Sequence, residues 1–362
     1  MTTVTVLVAA AAVGVLHVVA NVGYDGARDE FDAAASAARI SAATVQQELE
    51  SLRSTVDAAE LLKSADSGVF TAPDARDALA AATMNADEAA GPAERLLAVS
   101  PPPAASKPSV LWELLAASDQ LAADARDLDH LAAHLDAATP PMTTAETEVT
   151  DAGVALLRSA SAVAPAFESA HLSAKNDAVI ALRDAASRAS DMTILDGSAV
   201  EVLVAMQDAA AQVVATEQAE LAEKAGPLQG ARLEIEAFAR SLAPGVLLEF
   251  DWNPIVNNAG YNGSMGGLTR WWWDDPDRAS IELSNSVAEQ WPAERSKALI
   301  AHEVGHAISV KCEDMYDSST QDSIEKWATA WAISMGFTDD ANGVWAYGYP
   351  PQSYIDAAYG CR

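Results

Sequence analysis

The chain of 362 residues falls into two chemically unlike stretches, and that contrast limits its fold more than any other feature. Eight of nine tryptophans lie beyond residue 245: Trp252, Trp271, Trp272, Trp273, Trp291, Trp327, Trp331 and Trp345. Only Trp112 precedes it, and both cysteines, Cys312 and Cys361, follow it. Residues 24–245 are alanine-rich and acidic, with almost no aromatic rings and few glycines. Within them Val45, Leu49, Leu52 and Val56 follow a four-three-four spacing, and Leu114, Leu121, Leu128 and Leu135 recur every seven residues. Apolar residues at that period line one stripe of a helix and pack helix on helix. Breaks are expected at Ser100-Pro101-Pro102-Pro103, at Thr139-Pro140-Pro141 and near Gly226-Pro227, so the pattern predicts four or five long helices folded as an antiparallel coiled-coil bundle. Such a bundle suits a stalk or spacer and offers surfaces for self-association. No motif in it carries chemistry: His130 and His134 are spaced to share a metal, but Asp127, Asp129 and Asp136 mark that face as solvated.

The first 23 residues hold no charged side chain. Val4 to Val22 is an apolar run of nineteen, interrupted only by Thr5, Gly14, His17 and Asn21, and about 20 such residues span a bilayer. A cleaved signal peptide would show basic residues first and a shorter apolar stretch, although Val18-Val19-Ala20 is an acceptable cleavage sequence. The expected organisation is therefore mainly α with a C-terminal α+β domain: a transmembrane anchor or signal peptide over 1–23, the helical bundle over 24–245 and a compact domain over 246–362. Asp25, Asp29 and Glu30 follow the apolar run, which fits poorly with a cytoplasmic flank. The expected location is the cell membrane with the compact domain outside, or secretion if the segment is cleaved. Two cysteines in that domain allow one disulfide, in keeping with an oxidising compartment. A net charge of −30 argues against nucleic acid as a partner, since phosphate binding needs clustered Lys and Arg.

Chemistry concentrates at His302-Glu303-Val304-Gly305-His306. Two histidines four apart on a helix share one face and can hold one metal, and the glutamate between them lies beside the remaining coordination position. Gly305 costs a mid-helix position about 1 kcal/mol relative to Ala, which implies close packing there. A catalytic zinc takes three protein ligands. No histidine follows His306, so the third is sought among the carboxylates, Cys312 being a weak rival six positions on and turned off the histidine face. Glu325 stands out because Ala328 and Ala332 follow it on one helical face, a surface small enough to lie against Gly305. Asp322, one turn earlier, is the alternative ligand or a partner for a histidine ring nitrogen. Upstream, Ala279 to Ser284 alternates apolar and polar residues as a strand does. In the run Trp271-Trp272-Trp273, alternation would bury at least one ring.

The four residues His302, Glu303, His306 and Glu325, the last nineteen positions after the second histidine, resemble the gluzincin branch of the zincin metallopeptidases. The resemblance covers the last third of the chain. It implies a minimal zincin domain: a small mixed sheet, a metal-bearing helix and a second helix with the glutamate. The strand before the metal helix would then be an edge strand that pairs with extended peptide, though residues 279–284 read equally as a core strand. Thermolysin-like members carry an aspartate four positions after the ligand glutamate; Thr329 stands there, so the likeness is to compact bacterial zincins.

These features point to a Zn2+-dependent endopeptidase acting on peptide or protein substrates. Glu303 would be the general base, and Tyr347, Tyr349 and Tyr354 are candidates to stabilise the oxyanion, unless those rings are simply packed. The alternative is a non-catalytic cell-envelope protein with a structural or vestigial zinc site. An intact Glu303 favours the enzyme, since a structural site needs no base.

Overall fold

The computed structural model describes residues 2–103, 105–258 and 266–362, with side chains from residue 13 onward. Two compact units divide the chain, Met1–Val163 with Ala185–Ala205, and Ala164–Asp184 with Met206–Arg362. Residue 245, where composition changes, lies inside the second unit.

The first unit is built on α1 (Thr2–Ala65), α2 (Pro73–Leu97) and the greater part of α3 (Leu111–Ala170). The chain reverses between α1 and α2, where Arg53 bonds Asp87 and Glu94, each at 2.7 Å. Between α1 and α3 the expected antiparallel packing gives way to a parallel pair. Lys107 reaches Asp25, Thr143 reaches Glu48 and Ser51 reaches Glu146, so both helices advance together. The proline-rich connection makes this feasible. Extended proline-rich chain covers about 3.1 Å per residue, twice the rise of a helix, and Tyr24 Oη tethers it through the Ala105 carbonyl at 3.2 Å.

The expected break at Thr139-Pro140-Pro141 is absent, and α3 runs through both prolines. Each proline removes a helical hydrogen bond and crowds the preceding turn. Against that cost stands an uninterrupted heptad stripe: Leu114, Leu121, Leu128, Leu135, Met142, Val149 and Leu156 are all buried. Each fully buried side chain of this size contributes about 1.5–3 kcal/mol, and a break would take the downstream half of the stripe out of register.

Helical backbone extends to Thr2, but the expected anchor over residues 4–22 lies partly outside the described side chains. Val13, Val15, Leu16, Val18, Val19 and Val22 are exposed. Among the described residues, one helix is long and apolar enough to cross a membrane, α5 (Gly197–Glu223), and a third of its apolar window is buried.

The second unit contains α6 (Gln229–Leu242) and a three-stranded sheet of β1 (Leu247–Asn253), β2 (Gly267–Trp272) and β3 (Asp275–Ser284) in the order β1-β3-β2. β1 runs parallel to β3 and β2 antiparallel to it. Residues 279–284 are thus in the central strand, with β1 and β2 as the two outer ones. Period-two alternation turns Leu248, Phe250, Trp252, Ala279, Ile281 and Leu283 inward, where they share a core with Ile235 of α6 and Ile300 and Val304 of α8 (Glu294–Ser309). Glu236, fully buried on α6, accepts from Trp252 Nε1 and Lys224 Nζ, each at 3.0 Å, so its charge is compensated where it ties helix to sheet.

After α7 (Asn285–Glu289) and α8, a tight 3-10 turn at Val310–Met315 leads to α9 (Gln321–Ser334), α10 (Val344–Tyr347) and α11 (Gln352–Ala358). Cys312 and Cys361 form the expected disulfide, with Cα atoms 5.9 Å apart. Of the three consecutive tryptophans only Trp271 turns inward, partly buried against the core, while Trp272 and Trp273 are exposed.

Candidate metal centre

Three elements converge on the histidines. On α8, His302, Glu303 and His306 are each about 95% buried. Thr320 caps α9 by accepting from Ser323 N at 3.3 Å, so that helix begins at Gln321 and places Glu325 one turn inside it. The two helices meet at Gly305. A side chain there would come within 2.8 Å of the Ala328 carbonyl oxygen and 3.0 Å of its Cα, and Ala328 and Ala332 are fully buried. The bare glycine lets α9 approach until Glu325 reaches the histidines.

Glu325 Oε2 lies 3.2 Å from His302 Nε2 and 3.1 Å from His306 Nε2, and the two nitrogens are 3.2 Å apart. Ligands about 2.0–2.1 Å from a tetrahedral zinc are about 3.3 Å from one another, so the triangle has the right size. Its chemistry fits as well. Thr329 Oγ1 donates to the Glu325 carbonyl at 2.8 Å, which leaves its lone pair facing His302 Nδ1 at 3.4 Å. The proton of His302 therefore belongs on Nδ1 and the lone pair on Nε2. With His306 in the same tautomer, three lone pairs would meet here, an arrangement that repels unless positive charge sits among them. Gln321 Nε2 donates to Glu325 Oε1 at 2.8 Å, leaving Oε2 as the single oxygen offered to the triangle. Burial alone would raise the Glu325 pKa, but positive charge beside it, supplied by protonated histidines when no metal is bound, outweighs burial and holds the carboxyl well below its usual range.

Asp322 does not take part. It is exposed and pairs with Lys326 at 2.7 Å, and the group that could hold a metal is formed by His302, His306 and Glu325 without it. The tyrosines also separate. Tyr354 is structural, its hydroxyl within 2.7 Å of Ser323 Oγ and 3.2 Å of Asp317 N, and Tyr349 is exposed. Tyr347 lies in the site, its ring stacked on His302 at 5.8 Å and 12°. Its phenol is pushed up to about 12 by burial and by the carboxylates of Glu325 and Glu303, so it stays a proton donor at neutral pH. On the other side, Trp271 stacks on His306 at 5.3 Å and 3°. Glu303 lies against β2, where Thr269 Oγ1 meets its Oε2 at 2.7 Å. Burial pushes the Glu303 carboxyl up, partly opposed by His302 and by that hydroxyl.

The motif pattern could not reveal Thr269, Trp271 or Gly343. Their roles depend on strand register and on a loop whose Gly343, at φ 105°, lies so close to Thr329 and His302 that any side chain would collide with both. Gln321 was within reach, since it precedes Glu325 by one helical turn. His130 and His134 are exposed, as their acidic surroundings imply.

No protein-family model, curated protein or solved structure matches the chain. What the site can do rests on its own geometry.

Proposed function

We propose that the chain is a zinc metallopeptidase that hydrolyses internal bonds of extended polypeptides. The observation that carries this reading is the buried triangle of His302, His306 and Glu325 with the unligated carboxyl of Glu303 beside it. His302 and His306 would hold zinc through Nε2 and Glu325 through Oε2. When bound there, zinc supplies Lewis acidity, polarising a carbonyl and lowering the pKa of water to about 7. Glu303 takes the proton of the attacking water and returns it to the leaving nitrogen. Tyr347 donates to the oxyanion that develops on the carbonyl. The outer strand β2 offers backbone partners to an extended substrate, which adds as a further strand. Trp273, which follows β2 directly, is exposed, as are Trp345 and Tyr349 on either side of Tyr347, and these rings would offer apolar contact to substrate side chains.

The location proposed is the outer face of a membrane, with residues 4–22 as anchor. The exposed apolar residues from Val13 to Val22 and the disulfide support it.

Zinc content and casein hydrolysis of the full chain test the reading together. Wild type should bind one zinc and cleave, and Glu325→Ala should lose most of the metal. Glu303→Gln should keep the metal while kcat falls at least about 100-fold. Cleavage that survives Glu303→Gln would overturn the mechanism. A wild type that binds zinc and cleaves nothing would leave a structural zinc site.

A further inference from the structure

Alternate residues of β2, namely Gly267, Thr269 and Trp271, face α8, the first two meeting Glu303 and the third His306. They pair across the sheet with Leu283, Ile281 and Ala279, the inward row of β3, so the register fixes their direction. Gly267 lies so close to the Glu303 carboxyl that any side chain there would collide with it. Thr269 Oγ1 meets Glu303 Oε2 at 2.7 Å and the Glu303 carbonyl oxygen at 3.0 Å. Trp271 covers the ring of His306.

We propose that Thr269 is a positioning residue, whose hydroxyl on the outer strand of the sheet fixes the rotamer of Glu303. The proposal rests on the peptidase reading for its catalytic consequence but not for the contact itself. A glutamate has three rotatable side-chain bonds, and a general base must stay within hydrogen-bond reach of the proton it takes. Thr269 is itself buried, so its hydroxyl has no solvent to turn to and serves Glu303 alone. A hydroxyl carries one proton and two lone pairs. Toward a carboxylate it donates to Oε2. Toward a carboxylic acid it accepts from Oε2 and turns its own proton to the Glu303 carbonyl. One side chain therefore satisfies Glu303 both before and after it takes the proton of water. Because Thr269 belongs to the strand proposed to pair with substrate, the base is referenced to the same backbone that would hold the scissile peptide.

Two readouts test this, one independent of hydrolysis. In urea unfolding of the full chain, Thr269→Val should raise the unfolding constant about 10-fold in wild type, since it strips a buried carboxyl of its partner. In a Glu303→Leu background the same substitution should have a much smaller effect. Equal effects in both backgrounds would overturn the contact. In steady-state hydrolysis, Thr269→Val should lower kcat about 10-fold or more with KM and zinc content nearly unchanged, and Thr269→Ser should restore kcat. A Val variant with wild-type kcat, or a Ser variant as slow as the Val one, would overturn the positioning role. Should wild type hydrolyse nothing, the peptidase reading falls and with it the catalytic consequence, while the unfolding cycle still decides the contact.

Discussion

Tyr347 and Tyr349 are two residues apart, yet their surroundings differ enough to assign them different work. Tyr347 stacks on His302 and faces the Glu325 and Glu303 carboxylates, which with burial keep its hydroxyl protonated throughout the neutral range. Tyr349 is two-thirds exposed. Removing one preorganised donor from an oxyanion site costs about 100- to 1,000-fold in kcat in the best-studied cases, and a half-exposed phenol should lie at or below the lower end. Tyr347→Phe keeps the stacked ring and deletes only the hydroxyl. It should lower kcat about 10- to 100-fold with zinc content unchanged, and Tyr349→Phe should leave kcat within about 2-fold. Steady-state kinetics on the two variants separates them, and equal effects would remove Tyr347 from the mechanism. Nothing in residue type distinguishes these tyrosines, which is why sequence left three candidates. Only the chain path after Gly343 tells them apart.

The contact between α8 and α9 is the element-scale feature that brings a group able to hold a metal together from two separate helices. Its logic was visible in the sequence: a glycine between the ligands, and Ala328 and Ala332 on the face of Glu325. Period-3.6 spacing fixes which residues share a helix face, and small residues report close approach. The β2–α8 contacts were not visible, because a strand slipped by one residue would turn Thr269 away from Glu303, and neither composition nor spacing sets that register. The same limit applies to the helical pair α1 and α3. Heptads identify the packed stripe but not whether its partner runs parallel, and Pro140-Pro141 read locally as a stop although the stripe continues beyond them. Gly305→Ala tests the contact directly. A methyl group would gain about 1 kcal/mol of helix propensity but press into the Ala328 backbone, and overpacking of that kind costs about 1–3 kcal/mol. The expected outcome is a small net loss of stability, with zinc affinity falling about 10-fold or more as Glu325 is pushed off the histidines. Chelator competition measures the affinity, and a variant that binds zinc as tightly as wild type would show that α9 adjusts without moving its carboxylate.

At the scale of the whole molecule, the disulfide ties the segment after α8 to the C-terminal region. Cys312 lies in the turn that follows α8, and Cys361 is the penultimate residue, forty-nine positions later. The loop between them contains α9 with Glu325, α10 with Tyr347, and α11, so the bond encloses two of the residues assigned to the site. Trp331 Nε1 donates to the Cys361 carbonyl at 2.9 Å and both cysteines are buried, which docks the chain end on α9 as well. In the chain-entropy model a loop of this length contributes about 4 kcal/mol by restricting the unfolded chain. At about 2–4 °C per kcal/mol for a unit of 150–250 residues, replacing both cysteines by alanine should lower the second unit's unfolding temperature by about 8–16 °C. The folded unit should still assemble its triangle, because the contacts of Gly305, Gln321 and Thr329 involve neither cysteine. Zinc stoichiometry at low temperature should therefore match wild type while the calorimetric midpoint drops. If zinc is lost at a temperature where the fold persists, the disulfide holds the site itself and not merely the chain around it.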